Sequence, residues 1–292
     1  MLKTLGASIF ASSIISYNSK VLKRADQETK SAPKHKFAAG VKQIPHPQKA
    51  YKGGEDAYVL SDTFIAVADG VGGWNDVGVD PALFSKELCL NLWEEYIKRR
   101  ATQSFFTLDL KSIFVETVKR TKNKGSSTMV IAGLDPQAQG VVKTLNLGDS
   151  GYLIARKDEH GKYQQIYRSP EQLYGYDFPF QCGTNCDLPY DSDCRMHIVQ
   201  DRDIFLLASD GIFDNLYDKD ILDCLTSSDL KSYLTDFDAE NVATCVAKKA
   251  EKVSTDPLYD SPYAKHARDY NKSEPGGKVD DITVIVAQVI FQ

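Results

Sequence analysis

Phe64-Ile65-Ala66-Val67-Ala68 is an unbroken apolar run that stops on Asp69 and then turns glycine-rich through Gly70-Val71-Gly72-Gly73-Trp74. A short run of β-branched and aromatic residues bounded by glycines reads as a buried strand, so Asp69 stands where core ends and solvent or a site begins. A carboxylate in that position needs a partner, because an isolated buried charge is expensive. Asp-Gly is also ordinary turn chemistry. Here no second strand returns after two residues; Asn75-Asp76 and then a helical pattern follow.

The same event recurs along the chain. Glu55-Asp56 precede the strand-like run Ala57 to Leu60, Asp203 to Ser209 runs into Asp210-Gly211, and Asp280-Asp281 open a last apolar strand from Ile282 to Phe291. In a compact sheet such ends can converge on one rim. Carboxylates gathered in a partly dry cleft repel one another and rise in pKa unless a cation neutralises them. An all-oxygen donor set without His or Cys favours Mg²⁺ or Mn²⁺ over zinc or copper. There are more carboxylates here than one Mg²⁺ needs. Two ions about 3.5–4 Å apart, bridged by a central carboxylate and water, would use them and would suit hydrolysis of a phosphate ester. Gly70, lacking Cβ, leaves its carbonyl free to approach an ion.

The remaining pattern is that of a globular chain with helices packed on sheets. At 292 residues, 42% hydrophobic and 26% charged, it has ample length for a core. The net charge of −5 argues against nucleic acid or an anionic membrane as the main partner. Ala57–Leu60 and Phe64–Ala68 read as a hairpin. Asp80-Pro81 starts a helix whose apolar residues Phe84, Leu88, Leu92, Trp93 and Tyr96 recur at helical spacing, and a second helix spans about 108–120. Runs at 127–133, 141–147 and 152–156 predict an antiparallel meander. Helices are expected near 219–225 and 239–253. The irregular stretch of about 169–195 is long enough to be a binding flap.

Cys89, Cys224 and Cys245 fall on helical patterns and are expected as buried free thiols. Cys182, Cys186 and Cys194 cluster near His197, but their spacings do not match a regular zinc pair. No cysteine has Arg six positions later, no P-loop occurs, and no Gly-x-Ser-x-Gly elbow is present. Residues 1–25 contain no Asp or Glu, carry Lys3, Lys20, Lys23 and Arg24, and include five serines. That composition reads as a mitochondrial transit peptide over about residues 1–30, with a secretory signal, a cytosolic tail and a membrane anchor as alternatives. Residues 31–50, with Pro33, Pro45 and Pro47, read as a linker.

Six motifs in order resemble the metal-dependent protein phosphatases, the protein phosphatase 2C or PPM-type family. They are Gly54-Glu55-Asp56-Ala57, Val67-Ala68-Asp69-Gly70-Val71-Gly72-Gly73-Trp74, Gly125-Ser126-Ser127-Thr128, Asn146-Leu147-Gly148-Asp149-Ser150-Gly151, Ala208-Ser209-Asp210-Gly211-Ile212-Phe213-Asp214-Asn215 and Gly277-Lys278-Val279-Asp280-Asp281-Ile282-Thr283-Val284. Asp-Gly-Val-Gly-Gly-Trp with Pro179-Phe180-Gln181 is most similar to the branch that includes mitochondrial matrix members.

The resemblance covers about residues 51–292 and implies an α+β fold, two central antiparallel β-sheets flanked by helices, with a binuclear Mn²⁺/Mg²⁺ centre in the cleft. It implies that Asp69 bridges the ions and Gly70 offers its carbonyl. Asp210 and Asp280 complete one ion, Glu55 holds the second, Asp56 binds metal or its waters, and Asp149 matches a weaker third site. On this basis Asp69, Asp210 and Asp280 are the catalytic residues, and a bridging water attacks phosphorus in phosphoserine or phosphothreonine proteins. The partners implied are phosphoproteins, with no nucleic acid, no stable membrane insertion and a monomeric chain. Two departures stand out. Val71 replaces a histidine proposed elsewhere as general acid, and Tyr51 replaces a phosphate-clamping arginine, leaving Lys52 as the candidate phosphate ligand. A catalytically weak binding module and a small-molecule phosphoesterase remain as alternatives.

Overall fold

The computed structural model describes residues 34–137, 140–186, 189–231 and 237–291. The targeting segment expected over residues 1–30 lies outside them. Ten strands form two five-stranded sheets: β1 His35–Ile44, β2 Ala57–Leu60, β3 Phe64–Ala68, β4 Met129–Leu134, β5 Val141–Leu147, β6 Gly151–Lys157, β7 Tyr163–Arg168, β8 Asp193–Ile198, β9 Ile204–Ala208 and β10 Ile282–Phe291. One sheet has the order β1-β10-β9-β6-β7 and the other β8-β5-β4-β3-β2, and every pairing within them is antiparallel. The helices are α1 Pro81–Arg100, α2 Leu110–Arg120, α3 Asp210–Phe213, α4 Asp218–Lys231, α5 Ala239–Ser254 and α6 Pro262–Asp269.

Alternation along each strand explains the continuous apolar runs. Ile65 and Val67 of β3 meet Phe205 and Leu207 of β9 in the core between the sheets, with Phe37, Ile285 and Val289. The intervening residues face helices: Ile204, Leu206 and Ala208 pack with Val242, Val246 and Ala250 of α5. On the opposite side Phe64 stacks on Tyr96 of α1 with ring centroids 3.9 Å apart. Both faces of the central strands are therefore covered, which is what an uninterrupted apolar pentapeptide requires. Asp80 caps α1, its Oδ1 accepting from the Ala82 amide at 3.1 Å ahead of Pro81. The fold class, the β2–β3 hairpin and helices α1, α2, α4 and α5 agree with expectation, while α3 and α6 have no counterpart in it.

Four local expectations are corrected. Residues 35–44, expected as linker, form β1, paired over its whole length with β10 from His35↔Phe291 to Ile44↔Ile282. The three-strand meander is broken: β4 and β5 pair, but the chain crosses at Gly148–Gly151 and β6 joins the other sheet. The long irregular stretch contains short pairs and ends in β8, a half-exposed edge strand on β5. Cys224 and Cys245, expected as free thiols, are joined by a disulfide that ties α4 to α5, because these packed helices bring their Cα atoms to 5.9 Å.

The linker correction can be checked by substitution. Phe37 is 2% exposed and sits between the sheets. Phe37→Ala is expected to cost about 3–5 kcal/mol in urea denaturation. A side chain in a solvated linker would cost under about 0.5 kcal/mol.

Candidate metal centre

The strand registers place the acidic positions at one rim. Ala57 opposes Ala68, and Ala208 opposes both Val284 and Gly151. Glu55-Asp56, Asp69, Asp210, Asp280-Asp281 and Asp149 therefore all flank the same end of the sandwich. Hydrogen bonds sew the two sheets together there. Ser209 Oγ donates to Asp56 Oδ2 at 2.9 Å, and Gln43 Nε2 donates to the Asp56 carbonyl at 3.1 Å and Thr283 Oγ1 at 3.2 Å.

Asp69 is held by its backbone. Its carbonyl accepts from the Thr128 amide at 3.0 Å and Ser127 Oγ at 2.8 Å, and its amide donates to Thr128 Oγ1 at 3.3 Å. Gly70 bridges to Ser127, and a Cβ there would lie 2.8 Å from the Glu55 carbonyl oxygen and 3.0 Å from that of Pro81. Only glycine fits that approach. Asp210 is the first residue of the one-turn helix α3 and is buried, while Asp281 is spent on architecture. Its Oδ1 accepts from the His46 amide at 2.7 Å, and its Oδ2 from the Glu55 amide at 3.0 Å and Lys49 Nζ at 3.2 Å.

Three ammonium groups face these carboxylates. Glu55 Oε1 accepts from Lys52 Nζ at 2.7 Å and Asn75 Nδ2 at 2.8 Å, and its Oε2 lies 2.6 Å from Lys49 Nζ. Burial pushes the Glu55 pKa up, but these hydrogen bonds outweigh it and hold the carboxyl below its ordinary range. Lys52 also reaches Asp80 Oδ1 at 2.7 Å. At the far end Lys278 Nζ lies 2.7 Å from both Asp210 Oδ2 and Asp214 Oδ2. Burial raises Asp210, yet Lys278 and a hydrogen bond from Asp69 keep its pKa below the usual value.

For the other carboxylates burial and like charge outweigh the ammonium groups. Burial, then the charge of Asp281, pushes Asp56 up to about 8. Burial, then Asp56, Asp210 and Asp280, raises Asp69 well above its ordinary value. Burial followed by Asp210 raises Asp280 to about 6 and lifts Asp149 strongly. Burial takes Asp214 to about 7 in spite of Lys278. Asp56 Oδ1 and Asp210 Oδ1 are buried without a hydrogen-bond partner. Among the described residues, no three His, Cys, Asp or Glu groups are arranged as they stand to hold a metal ion. Lys49 and Lys278 instead draw several of the oxygens towards themselves. An all-oxygen set with two orphaned buried oxygens and mutually raised pKa values fits a hard divalent cation in donor chemistry.

Every residue expected from the sequence thus lies at or beside the rim: Glu55, Asp56, Asp69, Gly70, Asp149, Asp210, Asp280 and Lys52. Sequence reasoning missed Lys49, Asp214 and the placement of Lys278. Lys49 carried no signal, and Tyr51, which replaces the expected arginine, points to solvent at 87% exposure. Beside the rim lies a groove of about 580 Å³ lined by Trp74, Tyr174, Phe178, Gln181, Thr184, Asn185 and Cys186. Ser126 Oγ joins its walls, accepting from Trp74 Nε1 and donating to Gln181 Oε1, each at 2.6 Å.

No protein-family model matches the chain. It is 33% identical over 265 residues to probable protein phosphatase 2C 80 of Arabidopsis thaliana, covering 89% of this chain and 60% of that protein. It is likewise 33% identical over 274 residues to probable protein phosphatase 2C 26 of Arabidopsis thaliana, covering 88% and 85%. Among solved structures it matches the photosystem II phosphatase PBCP with a TM-score of 0.75 and 31% identity, covering 86% of this chain and 98% of that one. The serine/threonine phosphatase PstP, solved with two manganese ions, shares the fold at a TM-score of 0.56 and 15% identity, covering 88% and 99%.

The raised carboxylates set a pH dependence. Asp56, Asp214 and Asp280 have folded-state pKa values of about 8, 7 and 6 against 3.8 unfolded, so the folded state binds more protons between about pH 4 and 8. Stability without metal is expected to fall as pH rises across that window. Mn²⁺ must displace those protons, so its stabilising effect is expected to grow over the same range. Thermal unfolding with and without saturating Mn²⁺ at pH 5.5 and pH 8 reads this directly. Equal shifts at the two pH values would contradict it.

Proposed function

The chain belongs to the protein phosphatase 2C family, and from that premise we propose that it hydrolyses phosphoserine and phosphothreonine in proteins with Mn²⁺ or Mg²⁺. The observation that carries this reading is the rim itself, where Asp56, Asp69 and Asp280 crowd together with too little positive charge to ionise them all. Asp69, Asp210, Asp280, Glu55, Asp56 and the Gly70 carbonyl are the groups that would hold two ions. The chemistry a divalent pair supplies there is charge neutralisation of the phosphoryl oxygens and a water of lowered pKa for in-line attack.

The chain's own residues supply position. Ser127 and Thr128 fix the backbone of Asp69, Ser209 orients Asp56, and Lys49, Lys52 and Asn75 aim Glu55. Lys52 is the cation nearest the place of the missing arginine, but Glu55 and Asp80 already engage it. Val71, which follows Gly70, has no ionisable group and cannot supply the proton that the leaving alcohol takes. The groove along Trp74 and the flap adjoins the rim without containing any of its carboxylates, which suits it to substrate outside the phosphoryl group.

A matrix location is part of the proposal, supported by the acid-free, basic and serine-rich residues 1–25. No helix among the described residues is long and apolar enough to cross a membrane.

Two experiments test these statements. Phosphopeptide hydrolysis is expected to require Mn²⁺ or Mg²⁺ and to drop about 10³-fold in Asp69→Ala with the fold intact by circular dichroism, while sugar phosphates turn over poorly. Metal-independent turnover, or none in the wild type, would sink the assignment. Residues 1–40 fused to a fluorescent reporter are expected to co-localise with mitochondria; a diffuse cytosolic signal overturns the location.

A further inference from the structure

Lys278 stands two residues before Asp280 in the approach to β10. Besides its two 2.7 Å contacts with Asp210 and Asp214, its ammonium lies 3.3 Å from Asp177 Oδ1 and 3.5 Å from Asp280 Oδ2. These four carboxylates come from separate places: the flap, the start of α3, the residue after α3, and the lead into β10. The face of Tyr263 lies 5.3 Å from the ammonium. The lysine backbone is clamped by one side chain, since Asn215 Oδ1 accepts from the Lys278 amide at 2.9 Å and Asn215 Nδ2 donates to its carbonyl at 2.8 Å. Such an arrangement is a cation's shell of oxygens with an ammonium at its centre.

Asp210 divides its two oxygens. Oδ2 faces Lys278, and Oδ1 is buried with no hydrogen-bond partner. One oxygen thus serves the lysine and the other remains for an ion shared with Asp69 and Asp280.

We propose that Lys278 is a built-in positioning cation whose ammonium, held between Asp210 and Asp214, takes the place that a third divalent ion would otherwise fill, so that the chain holds two exchangeable ions. This rests on the two-ion reading above. A lysine in that place fixes Asp210 and Asp214 without being lost to dilution or chelation, and it supplies one positive charge where an ion would supply two.

Manganese bound per chain, measured on the full-length protein by equilibrium dialysis and atomic absorption, decides it. The wild type is expected to bind two ions, Lys278→Met three, and Lys278→Arg two. Asp149→Asn is expected to leave the wild type at two and to return the Lys278→Met protein from three to two. Three ions in the wild type, no gain in Lys278→Met, or a drop to one in Asp149→Asn alone would each overturn the proposal. If Lys278→Met does not fold, the Asp149→Asn result stands as the deciding measurement: two supports the proposal and one defeats it. Phosphopeptide turnover by the wild type, run in parallel, separates the two levels. Turnover with two bound ions but no gain in Lys278→Met removes only the role of Lys278, whereas neither ions nor turnover removes the two-ion reading and this inference with it.

Discussion

Crowded negative charge at one end of a sandwich is the constraint to which the rest of this molecule answers. Glu55, Asp56, Asp69, Asp149, Asp210, Asp214 and Asp280 share a partly dry rim with Lys49, Lys52 and Lys278. Like charges at these separations cannot all ionise in a poorly solvated site. The protein resolves the excess by holding protons on some carboxyls and by leaving two oxygens unpartnered. Divalent cations held there would relieve both. Selection of a hard ion follows from the donor atoms, all of which are oxygen.

The scaffold keeps this arrangement rigid by burying everything behind it. Each acidic residue is anchored to a strand or helix terminus whose other residues are core, so none can retreat without dragging a packed element along. Bonds from Ser127 and Thr128 to the Asp69 backbone carry its orientation and leave its carboxylate free, whereas Asp281 spends its own carboxylate oxygens on the His46 and Glu55 amides. The two clusters of lysines differ in kind. Lys49 and Lys52 lie on and beside the short 3-10 turn Pro47–Lys52 and act on Glu55, whereas Lys278 is locked by Asn215 on the opposite side.

Much of this was legible in the sequence because burial on both faces leaves a plain signature. The hairpin of β2 and β3 and the last strand β10 coincide with their apolar runs, and the acidic residues flanking them mark the rim. What stayed hidden depended on long-range placement. β1 reads as linker because lysines and prolines surround it, and it becomes a strand only against β10. β8, Asp193–Ile198, alternates polar residues with Cys194, Met196 and Ile198, but as an edge strand it leaves that apolar set facing solvent. The turn at Gly148–Gly151 looks like a hairpin, but local pattern cannot say which sheet the next strand joins. Lys49 sits in unremarkable sequence, Lys278 and Asp214 lie inside motifs that do not say which groups they meet, and the facing of Cys224 and Cys245 is a property of helix packing.

The pairing of β1 with β10 has a consequence for how the chain is made. β10 lies between β1 and β9, so the first strand of the domain waits for the last before its sheet can close. Contacts between residues near 35 and near 291 are among the longest loop closures this chain can make, and such closures come late in folding. Asp280 enters the rim on that same closing strand. A chain that has not reached Asp280 therefore lacks one of the rim's carboxylates and the strand that closes its sheet.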